Sequence, residues 1–270
     1  MRSGGVEIDV RNPAYVAAQR VYAAGLRARY SRTGMPWRVH DEIVRIDPGV
    51  RHLVPHVSEE ALFAFLKRRV MPGDVVLDVG SFLGVYAILE ARFTGPTGRV
   101  VAIEPTPWSA SIARRHFEFN ADFTAAPVVL LEAAAGARRG EATFYEYDQP
   151  YVNALMPAVD VDARARSRRV DVVTIDALCE ELKIRPTVIR MDVQGAEFDA
   201  LRGARRTIAS AGSRLTIVAE MHPQCWPSFG IDAAQARETI DALGLSGAPL
   251  EPGADLFRRD GHVVLTPRLA

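Results

Sequence analysis

Short apolar runs alternate along the chain with longer segments in which apolar residues recur every three or four positions. The short runs predict buried strands, and the longer segments predict helices with one face in the core. Strands are predicted at residues 75–78, 100–104, 128–131, 141–147, 170–173, 188–191, 215–221 and 262–265. Helices are predicted between them at residues 85–92, 108–120, 174–182, 196–210 and 233–243. This alternation predicts an α/β fold with a mainly parallel sheet flanked by helices.

The part of the chain before residue 59 carries different signals. Residues 13–30 have apolar side chains at near-helical spacing, and Pro13 suits a first helical turn. They predict a helix outside the central sheet, with an apolar stripe that serves as a lid, a dimer face or, most simply, a packing surface. A second helix is predicted from Ser58, as its cap, to residue 70. We therefore divide the chain into an N-terminal helical extension or cap at 1–58 and a main domain at 59–270.

The strand that begins at residue 75 ends in a glycine turn of a kind that binds nucleosides. Its Asp78 is followed by Gly80 and Gly84, and the next strand ends in Glu104. An acid at the end of that second strand is placed to accept hydrogen bonds from the hydroxyls of a ribose. The turn therefore predicts a nucleoside site. The alternative is an ordinary βαβ unit whose glycine turn has only a structural role.

The charge of the turn indicates which nucleoside it binds. A dinucleotide-binding turn holds a pyrophosphate on its backbone N–H groups, and an Asp78 carboxylate at the mouth of the turn would repel that group. The same carboxylate suits the ammonium and sulfonium groups of S-adenosylmethionine. The sequence therefore favours S-adenosylmethionine as cofactor over NAD(P), and a methyltransferase over an oxidoreductase.

Several predicted strands end in acidic residues, and in a parallel sheet these ends meet at one edge. Glu132 and Ala133 follow the third strand of the main domain, where small residues would lie against adenine. The predicted cofactor contacts are Asp78, Gly80, Ser81, Gly84, Glu104, Glu132 and Ala133. The strand-end residues left for catalysis are Asp192, Glu220 and His222.

Composition excludes several other classes of protein. The 33 basic and 33 acidic residues give a formal net charge of zero, so the sequence predicts no nucleic-acid or membrane partner. Two cysteines form neither a disulfide framework nor a metal-ligand spacing, and no apolar run is long enough to span a bilayer. The arginine-rich residues 160–169 are predicted to be a solvated loop. A cytoplasmic enzyme is the expectation, and a homodimer stays open.

Five motifs resemble the FkbM family of S-adenosylmethionine-dependent methyltransferases. They are DVGSFLG at 78–84, AIEPTP at 102–107, AAAGARRGEATFY at 133–145, VVTIDAL at 172–178 and IRMDVQGAEFDALRGA at 189–204. The resemblance implies a class I methyltransferase fold, Rossmann-like, and methyl transfer to a hydroxyl of a sugar or polyketide-like secondary metabolite. It also implies that Asp78, Gly80, Gly84 and Glu104 line the cofactor site. The chain departs from the family pattern at Phe82, where Asn is usual, and at Gln194, where Glu is usual.

The chemistry of the strand ends favours a hydroxyl as the methyl acceptor. The loop after residue 191 is not the Pro-Pro-aromatic loop common in amino-nitrogen methylation. Methylation of cytosine C5 needs a nucleophilic cysteine, and neither cysteine of this chain lies at a strand end where it could serve as one. Glu220 and His222 are two residues apart and share one face of a strand, so we expect His222 to be the general base and Glu220 to orient it. Two alternatives stay open: Mg²⁺ held by Asp192 and Glu220, and a non-catalytic partner subunit.

Overall fold

The computed structural model describes residues 13–54, 56–57, 59–147, 150, 153–156, 165–251, 253 and 255–268. Its helices are α1 Pro13–Tyr30, α2 Glu60–Arg69, α3 Val85–Thr94, α4 Pro107–Asn120, α5 Ile175–Leu182, α6 Glu197–Arg202, α7 Arg205–Ala211 and α8 Ala233–Ala242. Its strands are β1 Met35–Val39, β2 Glu42–Ile46, β3 Val75–Val79, β4 Arg99–Ile103, β5 Val128–Leu131, β6 Ala134–Ala135, β7 Gly140–Glu146, β8 Arg166–Val173, β9 Val188–Met191, β10 Thr216–Met221, β11 Leu245–Pro249 and β12 Gly261–Pro267. Short 3-10 helices cover Pro48–Leu53, Gly212–Arg214 and Trp226–Phe229.

Seven strands form the central sheet, in the order β11-β12-β10-β9-β3-β4-β5. The five strands from β10 to β5 run parallel, and β12 and β11 pair antiparallel at one edge. The prediction of a mainly parallel sheet is confirmed, and the carboxyl ends of the parallel strands meet at one edge. A separate small sheet has the order β6-β8-β7.

Alternate side chains of each central strand enter different hydrophobic clusters. Leu77 and Val79 pack with α5, α6 and α8 on one face of the sheet, and Val76 packs with α2 and α3 on the other. The period of two along a strand produces this division, and the five parallel strands are therefore apolar at most of their positions. Among the described helices, none is both long and apolar enough to cross a membrane.

The N-terminal extension contains more than the predicted helix. Strands β1 and β2 form an antiparallel hairpin that packs on α3 and α4 through Met35, Val44 and Ile46. From here on, the name cap is used only for the part of this extension from β1 to the 3-10 helix at Pro48–Leu53, and α1 is named separately. The cap shares one buried cluster with Ile88 of α3, so its folding is coupled to the main domain.

Three local predictions differ from the structure. Helix α2 begins after Glu59, which has a left-handed φ of 50° and no side-chain cap bond, and the predicted cap Ser58 lies outside the described residues. The predicted helix at 196–210 is divided into α6 and α7. Residues 166–169 are part of β8 and not a loop, because they continue the antiparallel ladder with residues 143–146 of β7. Arg168 and Arg169 also form exposed ion pairs with Glu146 and Glu141 across this ladder.

Candidate active site

The backbone N–H groups of the glycine turn after β3 have hydrogen-bond acceptors within the protein. The N–H groups of Gly80 and Ser81 donate to the Ile103 carbonyl at 2.9 and 3.0 Å, and the Gly84 N–H donates to Ser81. Gly80 has a φ of 82°, and a Cβ there would lie 1.7 Å from the Asp192 carbonyl oxygen. Glycine is therefore needed at this position both for its conformation and for the close approach of the loop after β9. That approach brings Asp192 beside the turn.

Glu104, at the end of β4, is held in place by two backbone donors. Its Oε1 accepts from the Thr106 N–H at 2.8 Å and its Oε2 from the Phe82 N–H at 2.9 Å. The residue is 5% exposed. Burial raises the pKa of Glu104 to about 7 against the opposing effect of these hydrogen bonds. Each carboxylate oxygen keeps a second lone pair, so the group can still accept hydrogen bonds from a ligand hydroxyl.

A cavity, here called the glycine-turn cavity, opens between the ends of β3, β4 and β9. Gly80, Glu104, Asp192 and Gln194 line it, and the small residues 133–135 form an apolar wall. None of the described residues that line it is Lys or Arg, and the N–H groups of Gly80, Ser81, Phe82 and Gly84 already have acceptors. The chemistry of the lining therefore suits a ribose and a flat base without phosphate, as in S-adenosylmethionine, better than a pyrophosphate.

Asp78 is not at the mouth of the turn, and the structure corrects this expectation. Its side chain is fully buried, and Oδ1 accepts from Arg190 Nη1 at 3.1 Å. Arg190 also donates to the Gly80 carbonyl at 3.1 Å and to Asp192 Oδ2 at 3.4 Å. The negative charge of Asp78 is therefore compensated inside the protein. The pair acts on the site by fixing the glycine turn and Asp192, and a direct cofactor contact by Asp78 stays a prediction.

Three other predicted cofactor contacts, Gly84, Glu132 and Ser81, do not line the glycine-turn cavity. Gly84 packs against Phe117 and Ala113 of α4. Glu132 forms an ion pair with Arg114 and lines a different cavity beside β5. Ser81 is buried, its Oγ has no hydrogen-bond partner among the described residues, and it lines the cavity beneath the cap. Ala133 does line the glycine-turn cavity, as expected for a residue beside adenine.

The three predicted catalytic residues lie together at the ends of β9 and β10. His222 Nε2 is 3.9 Å from Asp192 Oδ1 and 3.8 Å from Glu220 Oε1. The amide nitrogen of Gln194 lies 3.0 Å from both Asp192 Oδ1 and His222 Nε2. Of these residues, Asp192 and Gln194 line both the glycine-turn cavity and the cavity beneath the cap. His222 is buried behind them and lines neither.

The orienter of His222 is Glu197, and the assignment of Glu220 to that role is corrected. Glu197 Oε1 lies 2.7 Å from His222 Nδ1, and its Oε2 accepts from Trp226 Nε1 at 2.9 Å. Glu220 is near the opposite nitrogen, Nε2. Burial lowers the pKa of His222, but the hydrogen bond and charge of Glu197, with the charges of Asp192 and Glu220, raise it to about 9. His222 is therefore protonated at neutral pH.

Sequence reasoning assigned no role to Arg190 or Glu197, although each carries a signal. Arg190 is a charged residue inside a fully buried four-residue strand, which requires a buried partner. Glu197 is the acid that ends the sequence DVQGAE at residues 192–197, and it is the first residue of α6. What sequence could not supply was the partner of each, since Asp78 and His222 are distant along the chain.

A second cavity, the cap cavity, lies between the cap and the main domain. Its volume is about 490 Å³. The cap contributes Val39, His52 and Leu53, and the main domain contributes acidic and aromatic side chains, among them Glu59, Tyr86, Asp192 and Glu220. It meets the glycine-turn cavity at Phe82, Asp192 and Gln194. The Asp192 carboxylate therefore stands where the two cavities join.

Two groups of side chains at this edge have the composition of a metal site. Asp192, Glu220 and His222 offer ligand atoms that lie within 4.8 Å of one another, and Glu59, Glu220 and His262 do the same. Burial raises the pKa of Glu220 to about 7, with Asp192 adding to the rise and His222 opposing it. Carboxylate and imidazole ligands suit a divalent cation.

Comparison with known proteins identifies the family. Residues 78–244 match the methyltransferase FkbM domain. A comparison with curated proteins finds no match. An O-methyltransferase from Bacillus cereus in complex with SAH is 14% identical, with 80% of this chain and 84% of that chain covered and a TM-score of 0.46.

Two further solved structures are similarly distant. Precorrin-6y C5,15-methyltransferase from Geobacter metallireducens GS-15 is 13% identical, with coverage of 77% of this chain and 87% of that chain and a TM-score of 0.44. Fibrillarin from Aeropyrum pernix with bound S-adenosyl-L-methionine is 14% identical, with 76% and 73% covered and a TM-score of 0.39. The family match covers more than half of the chain, and it agrees with the fold and with a cavity whose lining has no Lys or Arg to bind a phosphate. This S-adenosylmethionine-dependent methyltransferase therefore belongs to the FkbM family.

Proposed function

We propose that the enzyme methylates a hydroxyl group of a small molecule, a sugar or a secondary metabolite that binds in the cap cavity. The observation that carries this proposal is the position of Asp192, whose carboxylate lines both cavities. A donor in the glycine-turn cavity and an acceptor in the cap cavity would meet at this residue. A carboxylate at that point suits a hydroxyl, because a hydroxyl must lose its proton as its oxygen gains the methyl group.

When bound, S-adenosylmethionine supplies an activated methyl group, so the protein's contribution is positioning and proton removal. In the proposed step the acceptor oxygen forms a bond to the methyl carbon, the carbon–sulfur bond breaks, and the acceptor proton passes to Asp192. Arg190 and Gln194 hold the Asp192 carboxylate in place through Oδ2 and Oδ1. Positioning of this kind supplies on the order of 7–11 kcal/mol of barrier reduction when the geometry is right.

His222 supports this step from behind Asp192. Its Nδ1 is fixed by Glu197, and its Nε2 faces Asp192, Gln194 and Glu220. A protonated His222 stabilises the negative charge of Asp192 before the step, and it gives up its proton only at high pH. We therefore propose Asp192 as the group that touches the acceptor and the imidazolium of His222 as the charge that supports it, with Glu220 on the other side of His222 Nε2.

A methyl-transfer screen tests the proposal. Purified enzyme with S-adenosylmethionine is offered matched pairs of hydroxylated glycosides or polyketides and their amino or deoxy analogues, and products are identified by mass spectrometry. We expect methylation of hydroxyl compounds and none of the deoxy analogues. Transfer to the amino analogues alone would overturn the choice of oxygen as acceptor atom.

A second candidate is metal-assisted transfer, favoured by the proximity of the ligand atoms of Asp192, Glu220 and His222. These residues would hold Mg²⁺, which would acidify the acceptor hydroxyl. The test is turnover after treatment with EDTA and again after addition of MgCl₂ or MnCl₂. Full activity in EDTA would reject this candidate and leave Asp192 as the base.

A further inference from the structure

Helix α1 and the turn after it concentrate positive charge in a protein whose formal net charge is zero. Between residues 13 and 40 there are five arginines and no Asp or Glu. Overall neutrality therefore hides a basic surface, which is compensated by acids elsewhere in the chain. Only ligands that reach α1 itself would experience that charge, because solvent-exposed charges are screened beyond roughly 10 Å.

One face of α1 packs on the cap, and the opposite face is exposed. Leu26 and Tyr30 pack against the buried cluster of the cap. The other side carries apolar residues at helical spacing, and all of them are exposed: Ala17, Val21, Ala24 and Ala28. Val21 is 73% exposed and Tyr22 59%. Val21 and the three alanines therefore form a continuous apolar line on the surface of α1.

Arginines border this exposed apolar line on both sides. Arg20 and Arg27 follow one edge of the line and Arg29 the other, as the 100° step of a helix requires. Tyr22 lies beside Arg51 of the cap, whose guanidinium is 6.0 Å from the ring centroid. A weakly apolar line between arginines, with a tyrosine at its margin, is compatible with shallow contact at the headgroup region of a bilayer, where the arginines supply most of the attraction.

The charge pattern also decides between possible occupants of this face. A second copy of the chain would bring arginines against arginines, with no acid in residues 13–40 to pair with them. A nucleic acid would meet the arginines but would leave Val21 facing phosphate or water. A bilayer with anionic lipids satisfies both features, since its phosphates accept from arginine and its acyl boundary takes the apolar line.

We propose that α1 docks the enzyme on the surface of anionic membranes. Helix α1 packs on the 3-10 helix at Pro48–Leu53, and His52 and Leu53 of that helix line the cap cavity. Docking through α1 therefore brings the wall of the cap cavity near the lipid, where an amphiphilic acceptor would be available. The docking itself does not depend on which atom is methylated, so the two proposals fail separately.

The test is co-sedimentation of the full chain with vesicles at low and at high salt. We expect binding to vesicles of phosphatidylcholine with phosphatidylglycerol, weak binding to phosphatidylcholine alone, and loss of binding as salt rises. The double variant Arg20→Glu/Arg27→Glu should bind at least roughly tenfold more weakly, because each arginine near an anionic surface contributes about 1 kcal/mol. Val21→Asp should weaken binding by a similar factor.

Matched controls make the test specific to α1. Arg258→Glu changes an exposed arginine near the C-terminus, and Met71→Asp changes an apolar side chain that is exposed at the end of α2. Both should bind vesicles like the wild type. Absence of binding to anionic vesicles at low salt would overturn the proposal, and so would equal losses in control and α1 variants. A change of molar mass by light scattering in Val21→Asp without vesicle binding would instead identify the face as a contact between copies.

Discussion

The glycine-turn cavity and the cap cavity share Asp192 but are built in different ways. The first is formed by strand ends and by a glycine turn whose described N–H groups already have acceptors. Glu104 is held there by two of the protein's backbone N–H groups. The second takes part of its wall from the cap and from Glu59, which precede the region matched to the family at 78–244. The cavity proposed for the methyl donor is therefore built by elements within the region matched to the family, whereas the cavity proposed for the acceptor also depends on a segment outside that region.

Asp192 is the residue whose change should separate the two cavities most clearly. Asp192→Asn keeps the size of the side chain and removes the charge at the junction, so we expect kcat to fall by roughly 10²–10⁴. Binding of S-adenosylhomocysteine, measured by calorimetry, should change little. Asp199→Asn on the exposed side of α6 is the matched control. Normal turnover in Asp192→Asn at unchanged Tm would show that its role is structural.

Glu104 should affect the donor side alone. Glu104→Ala removes the acceptor for two backbone N–H groups and for a ribose, so affinity for S-adenosylhomocysteine should fall by about 1.5–3 kcal/mol. The KM for the acceptor should stay near the wild-type value. Glu118→Ala on the exposed face of α4 serves as the control. Calorimetry that finds equal affinity in both variants would remove Glu104 from the cofactor site.

The junction itself can be tested through pH. The pKa of His222 is raised from 6.5 to about 9, so its contribution to folding stability is fully present below pH 6.5 and is lost as pH rises through 9. We expect the unfolding free energy of the wild type to fall by about 2–3 kcal/mol more than that of His222→Gln over this range. Glu220, with its pKa raised to about 7, acts in the same direction in both proteins.

Chemical denaturation at several pH values gives these free energies. Parallel curves for the two proteins between pH 6.5 and 9 would contradict a protonated His222 in the folded state. The same pKa also moves the expected basic limb of activity. Any limb of kcat/KM that depends on His222 should therefore lie near pH 9.

The smallest effect is expected on the acceptor side. Leu53 of the cap lines the cap cavity and is only partly buried, so Leu53→Ala removes contact area without a large loss of stability. We expect the acceptor KM to rise by about tenfold, as is usual for a few methylenes in an apolar pocket. Affinity for S-adenosylhomocysteine should not change. Ile43→Ala, an exposed change elsewhere in the cap, is the control, and equal KM values in both variants would contradict a role for this wall.

Much of the main domain could be predicted because its signals are local. Four-residue apolar runs identified β5 and β9 with the correct ends, and the glycines between β3 and α3 marked the turn. The hairpin β1–β2 gave no such signal, since only Met35, Val39, Val44 and Ile46 of its ten residues are buried. Its strands are stable because α3 and α4 cover them, and that contact is not written in the local pattern.

The sequence by itself determined the parallel sheet and the family, and it predicted the edge for ligand binding, because periodicity and strand-end residues depend only on neighbours along the chain. The tertiary structure decided which charges meet. Asp78 is paired with Arg190, 112 positions away, and His222 is held by Glu197, 25 positions away. Glu220 of β10 and His222, just after that strand, are close in sequence, yet His222 Nδ1 is bound by Glu197 of α6, whereas Glu220 lies near Nε2. Which charged side chains pair depends on their distance in the folded protein, and that distance cannot be read from their positions along the chain.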